Sequence, residues 1–178
     1  NKFNIRPGNL QFDSWGIFLR GTIGYLVTEN EFNGPAVSDQ YTFGSVIRNT
    51  SLMDSEVYRN TYNGSFMVAT QSEQNNQKLQ IRCNTYNGDN EYDWAITSGQ
   101  LANQGQCFEQ EPNLAANNFF GYCDETFGYH KQIRNPLTGG AAPLMFNYSS
   151  FENELPHPSC KSNSVNLIDC GENQAGLS

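Results

Sequence analysis

Aromatic and β-branched residues in this chain come in short runs, each cut off by Gly, Pro, Asn or Asp, and helical signals are scarce. That punctuation constrains the fold more than any other feature of the sequence. It predicts an all-β chain with candidate strands at 9–12, 15–19, 22–28, 41–47, 56–62, 66–70, 78–84, 92–97, 105–109, 119–123, 144–148 and 165–168. Many short strands separated by turn residues read as a single-domain antiparallel β-sandwich or barrel. The length of 178 residues suits one domain, placed at 1–170, with a polar C-terminal tail at 171–178.

Asn60-Thr61-Tyr62-Asn63-Gly64 recurs 24 residues later as Asn84-Thr85-Tyr86-Asn87-Gly88. An Asn-Gly pair between strand-like runs suits the two positive φ angles of a type I′ turn, so the copies read as two successive β-hairpins. Nothing comparable stands at that period elsewhere, which argues against a repeat protein. Gln71–Gln77 reads as an exposed connection and Asn135–Pro143 as the longest loop.

Polarity is carried by amides rather than ions: 23 Asn and 12 Gln stand beside only 16% charged residues. The formal charge of -8 leaves no broad basic surface to neutralise phosphates, so neither nucleic acid nor an anionic membrane is an expected partner. The longest apolar run, Ile17–Val27, is broken by Arg20, Gly21, Thr22 and Gly24, and no membrane span is expected. The start, Asn1-Lys2-Phe3-Asn4, reads as that of a mature chain freed of its targeting peptide. Three Asn-x-Ser/Thr sequons, at Asn49, Asn63 and Asn147, agree with secretion to the extracellular space or cell wall.

Five cysteines without a Cys-x-x-Cys spacing give a zinc site no support and point to disulfides instead. Strand positions favour Cys83 with Cys107 and Cys123 with Cys160. Cys170 is then left over, either free, capped or bridging to another chain, although spacing alone does not select among the pairings.

A nucleophilic hydrolase needs a base, and only His130 and His157 are present, without a Gly-x-Ser-x-Gly elbow. Acidic pairs stand at Glu29/Glu31, Glu109/Glu111, Asp124/Glu125 and Glu152/Glu154, but such pairs more often form a solvated rim than a glycosidase acid and nucleophile. No cofactor is expected beyond calcium, for which the turn at 87–93 offers Asp89, Glu91 and Asp93; a solvated turn is the plainer reading. Of the aromatic residues beside turns, Trp15, Tyr62, Tyr86, Tyr92, Trp94 and Tyr129, those around the two Asn-Gly pairs make the candidate ligand face. That face comprises Tyr62, Tyr86, Asp89, Tyr92 and Trp94, where rings stack on sugar C–H groups while amides and carboxylates bond hydroxyls.

In the C-terminal third, Phe119-Phe120-Gly121-Tyr122-Cys123-Asp124 is followed by Leu144-Met145-Phe146, then Leu155-Pro156-His157-Pro158-Ser159-Cys160 and Val165-Asn166-Leu167. This order resembles small secreted cysteine-containing ascomycete (fungal) proteins of unassigned function, with Phe127 and Tyr129 where those proteins carry tryptophans. The resemblance implies a β-rich extracellular domain with Cys123 joined to Cys160, and it supplies no catalytic residues.

The expected function is binding of a polysaccharide or cell-surface glycan at a cell wall or extracellular surface, without catalysis. Two alternatives remain: an effector or allergen-like module that binds a host protein or an apolar ligand, and a carbohydrate-active hydrolase.

Overall fold

The computed structural model describes residues 1–37, 39–50, 52–105, 117–119, 132–140, 142–148, 158 and 160–170. The chain is all-β, but every pairing between its named strands is parallel. It winds as a three-sided β-solenoid, which corrects the expected antiparallel sandwich or barrel. The first rung comprises β1 (Lys2–Asn4), β2 (Ser14–Arg20) and β3 (Leu26–Thr28), and the second β4 (Glu31–Asn33), β5 (Thr42–Arg48) and β6 (Ser55–Tyr58). The third comprises β7 (Thr61–Asn63), β8 (Val68–Glu73) and β9 (Leu79–Arg82). Then follow β10 (Thr85–Tyr86) with β11 (Tyr92–Ile96), and β12 (Asn118–Phe119) with β13 (Ile133–Arg134). Two sides of the solenoid are therefore five-stranded sheets, β1-β4-β7-β10-β12 and β2-β5-β8-β11-β13, and the third is β3-β6-β9. The third side is extended by a bridge from Gln104 to Phe146 in β14 (Leu144–Tyr148), which pairs with β15 (Val165–Asp169).

The two pentapeptide copies are thus consecutive rungs rather than hairpins: Thr61 and Tyr62 lie in parallel register with Thr85 and Tyr86. Neither Asn63 nor Asn87 adopts the positive φ that a type I′ turn needs. The glycines serve a different purpose. A Cβ on Gly88 would lie 1.4 Å from the Gly64 carbonyl oxygen, and one on Gly64 would lie 2.7 Å from that of Gly34, so a side chain would separate the rungs. The same pattern, Asn, any residue, aromatic, Asn or Phe, stands at Asn1, Asn30, Asn60, Asn84 and Asn117.

From Asn30 onward, the leading asparagines Asn30, Asn60, Asn84 and Asn117 form a buried ladder at the corner between the third and first sides. Asn60 Oδ1 accepts from both the backbone N–H and the side-chain Nδ2 of Asn30, at 3.0 and 2.9 Å. Asn84 does the same for Asn60, at 2.9 and 3.0 Å, and Asn117 for Asn84, at 3.0 and 3.1 Å. The Nδ2 groups of Asn60, Asn84 and Asn117 donate in turn to the carbonyls of Val27, Val57 and Ile81 at 2.8, 2.9 and 2.7 Å. The residue before each of the first three, Glu29, Arg59 and Cys83, takes a left-handed conformation with φ of 54°, 52° and 54°. A non-glycine residue there costs about 1 kcal/mol, and the ladder bonds offset that cost.

Two positions further on, the aromatic residues point inward and stack. Phe3, Phe32, Tyr62, Tyr86 and Phe119 follow one another at centroid distances of 5.0, 4.7, 5.1 and 5.7 Å with nearly parallel rings. These steps follow the ~4.8 Å spacing of neighbouring strands. The tyrosine hydroxyls are met from the second side: Ser45 Oγ lies 2.9 Å from Tyr62 OH, Thr70 Oγ1 lies 3.2 Å from Tyr86 OH, and Trp94 Nε1 donates to Tyr86 OH at 2.6 Å. Burial pushes the Tyr62 phenol up to about 12 and the Tyr86 phenol well above its ordinary value.

Cysteine usage also differs from the expectation. No disulfide joins two described residues, and Cys83 is a free thiol at a solenoid corner, so its expected bond to Cys107 is absent. Cys160 and Cys170 are buried and are not free thiols, which makes Cys83 rather than Cys170 the odd one. Cys107 and Cys123 lie outside the described residues, as does the tail at 171–178.

Asn60→Ala removes the acceptor for the Asn30 N–H and the donor to the Val27 carbonyl, both in the interior. It is expected to lower stability by about 3 kcal/mol. Asn63→Ala, in the outward-facing ladder where Asn63 Nδ2 donates to Asn33 Oδ1 at 3.2 Å, is expected to cost less than about 1 kcal/mol. Urea denaturation midpoints of the two variants check the contrast.

Candidate functional site

The expected ligand face is dispersed by the solenoid. Tyr62, Tyr86 and Trp94 are fully buried in the ring stack and its hydroxyl network, so no ring face of theirs is open to a sugar. Tyr92 is also buried, in a separate apolar cluster with Phe43, Val46, Val68 and Ala95, and the Arg134 guanidinium lies 5.1 Å from its ring centroid. Of the five residues, only Asp89 is exposed.

The oxygen-rich turn at 87–93 is likewise occupied by local bonds. Asn87 Nδ2 donates to Asn63 Oδ1 at 3.1 Å, and Asn90 Oδ1 accepts from the Phe66 N–H at 3.0 Å. Asn90 Nδ2 donates to Asp93 Oδ1 at 2.7 Å, and Asp93 is buried whereas Asp89 is exposed and Glu91 half-exposed. Among the described residues, no group of three or more His, Cys, Asp or Glu is placed to hold a metal ion.

Of the acidic pairs, Glu31 is bound by Lys2 Nζ at 3.0 Å, and that hydrogen bond holds its carboxyl below the ordinary range. Its neighbour Glu29 occupies the left-handed corner position. The other three pairs, both histidines and Tyr129 lie outside the described residues. The Cys83 thiol, pushed up by burial against the opposing pull of Arg82 and Arg59, is a poor nucleophile.

Trp15 is the expected aromatic residue that stays open. It begins a column on the outer face of the second side, in register with Phe43, which aligns with Val68 and then Tyr92. Exposure falls from 46% at Trp15 to 8% at Phe43 and 1% at Val68, so the first rung alone presents its ring to solvent. The Phe18 ring stands 5.3 Å from that of Trp15, tilted by 41°, and the Arg48 guanidinium lies 5.3 Å from the Phe18 centroid.

A tight turn before β2 walls this surface. Asn9 and Phe12 exchange backbone hydrogen bonds at 2.9 and 3.1 Å, and Asn9 Oδ1 accepts from the Gln11 N–H at 2.9 Å, an Asx turn that fixes the loop. Gly8 lets the loop pass the second rung, since a Cβ there would fall 2.3 Å from the Tyr41 carbonyl oxygen. The Gly8 N–H donates to Thr42 Oγ1 at 2.9 Å, and Thr42 Oγ1 donates to Asp39 Oδ1 at 2.8 Å. The result is an open cleft of about 300 Å3 in which Trp15, Phe12 and Tyr41 stand beside Asn9, Gln11 and Asp13. Position beside a turn singled out Trp15 in the sequence; Phe12 reaches the cleft through the Asn9–Phe12 turn of the same rung, and Tyr41 through the stacking of the second rung on the first.

The sequons occupy different environments. Asn49 is exposed in a left-handed turn with φ of 55°, and Asn63 is half-buried in the outer ladder. Asn147 is buried, and both its amide hydrogens are engaged: Nδ2 donates to the carbonyls of Gln104 at 3.0 Å and Gly105 at 2.9 Å. A glycan on Asn147 would displace one of these bonds and enter the β14 packing. In protein expressed through a eukaryotic secretory route, glycopeptide mass spectrometry is expected to find Asn49 occupied and Asn147 bare in the folded fraction.

Comparisons with family models, with curated proteins and with solved structures gave no match to this chain.

Proposed function

We propose that the protein is a secreted, non-enzymatic glycan-binding protein acting at a cell wall or other extracellular surface, and that the Trp15 cleft holds its ligand. The observation that carries this reading is the exposed Trp15 ring set beside Phe12, Tyr41, Asn9 and Gln11. Flat apolar rings stack on the C–H faces of a pyranose, and amides supply paired donors and acceptors for its hydroxyls. The cleft is anchored on a solenoid whose rungs are fixed by buried ladders, so little ordering entropy is lost on binding. The amide-rich, acidic composition and the resemblance to small secreted ascomycete proteins support an extracellular location.

A second reading has one observation in its favour. Leu10 and Phe12, exposed by 87% and 70%, continue the Trp15–Phe18 surface, and contiguous exposed apolar side chains also mark protein partners.

The test is co-sedimentation with insoluble chitin, β-glucan, mannan and cellulose. The wild type is expected to bind at least one saturably, and Trp15→Ala, with an unchanged melting temperature, to bind about tenfold more weakly, the loss of one stacking interaction. Equal retention of Trp15→Ala and wild type overturns the assignment of the cleft. Retention on none of the four favours the protein partner.

A further inference from the structure

A second concavity lies on the third side, away from β2 and Trp15. It is an open groove of about 720 Å3 that crosses four successive turns of chain, from Leu26 through Glu56 and Gln80 to Asn103. Leu26, Glu56 and Gln80 are in parallel register and point outward, alternating with the buried Val27, Val57 and Ile81. Gln80 Nε2 donates to the Asn103 carbonyl at 2.7 Å, which continues the line one turn further. Beside it Lys78 Nζ lies 3.8 Å from Asp54 Oδ1, an exposed pair whose charges remain available to a ligand.

We infer that this groove is a second binding site, for a single uncharged glycan strand lying along the solenoid axis with one sugar unit per rung. The inference rests on the glycan-binding reading of the protein but not on Trp15.

The first argument is spacing. Polar groups recur here at the ~4.8 Å step between strands, close to the length of one pyranose unit in an extended chain. An extended peptide repeats its side-chain direction every two residues, ~6.6 Å, and falls out of step within two rungs. The second argument is charge. Asp54 and Glu56 are matched by Lys78 and Arg82, so the groove has no surplus cation to draw phosphates or uronic acids, while its amides and carboxylates offer partners to neutral hydroxyls. The third is the exposed Leu26 at one end of the groove, an apolar surface for the C–H face of a terminal sugar.

Isothermal titration of the Trp15→Ala protein with cellohexaose, laminarihexaose and hexagalacturonate tests the site without interference from the cleft. The expected result is binding of at least one neutral hexaose, with hexagalacturonate at least tenfold weaker. Adding Leu26→Arg, which fills the groove from a residue that is 58% exposed, is expected to weaken the neutral binding tenfold or more. The milder pair Asp54→Ala and Lys78→Ala, both on the surface, is expected to weaken it severalfold with the melting temperature unchanged. The inference is overturned if Trp15→Ala binds no neutral hexaose, if Leu26→Arg leaves binding intact, or if hexagalacturonate is preferred. If Trp15→Ala matches wild type on insoluble polysaccharide while Leu26→Arg abolishes retention, the cleft reading fails and the groove stands.

Discussion

Buried asparagine amides hold the rungs together at the corner where each turn of chain passes from the third side to the first. Each turn of chain must leave the β3–β6–β9 side and enter the β1–β4–β7 side, and the corner would otherwise strand N–H and carbonyl groups in the interior. Asn60, Asn84 and Asn117 close that gap with the same three contacts, each side chain serving the turn before it. Because an unmet buried polar group costs about 1 to 3 kcal/mol, the ladder fixes both register and direction. A slip by one residue would place an unpaired amide in the core and turn the aromatic stack outward.

Register at that corner determines what the surface can do. With Tyr62 and Tyr86 stacked inward, their neighbours Thr61, Asn63, Thr85 and Asn87 must face out, and the same alternation turns Leu26, Glu56 and Gln80 outward on the third side, while Trp15 and Phe18 face out on the second. Binding surfaces on such a molecule are therefore columns of aligned side chains rather than loops gathered around a pocket. The Asn9–Phe12 turn is an exception, a short insertion that adds a wall to one end of a column.

Much of the local structure was legible in the sequence. The runs that became β2, β5, β9, β11, β14 and β15 show as β-rich stretches cut by turn residues, since strand propensity does not depend on what the strand pairs with, whereas residues 71–73, read as part of an exposed connection, continue β8 with Gln71 and Ser72 buried. Direction of pairing was not legible, because an Asn-Gly pair between strands serves a hairpin and a solenoid corner equally well at the level of residue type. The repeat was masked in two ways. Successive ladder asparagines are 30, 24 and 33 residues apart, so no single period links them. Phenylalanine also replaces tyrosine at 3, 32 and 119, so only the two tyrosine copies match letter for letter. The candidate site followed from the same misreading: a tyrosine beside a hairpin turn is exposed, whereas one beside a solenoid corner alternates inward. Trp15 stands outside that misreading, because its side chain faces outward from β2 and is 46% exposed. The free thiol at Cys83 has a similar origin, since its place is set by the left-handed corner it shares with Glu29 and Arg59 rather than by a cysteine partner.

The measurement that bears most directly on this architecture is a nuclear Overhauser spectrum of protein labelled at asparagine side-chain amides. The solenoid predicts cross-peaks from the Asn84 side-chain amide to that of Asn60, 24 residues earlier, and from Asn60 to Asn30. Cross-strand contacts running antiparallel through Asn63-Gly64 and Asn87-Gly88, with no contact between Asn60 and Asn84, would contradict it.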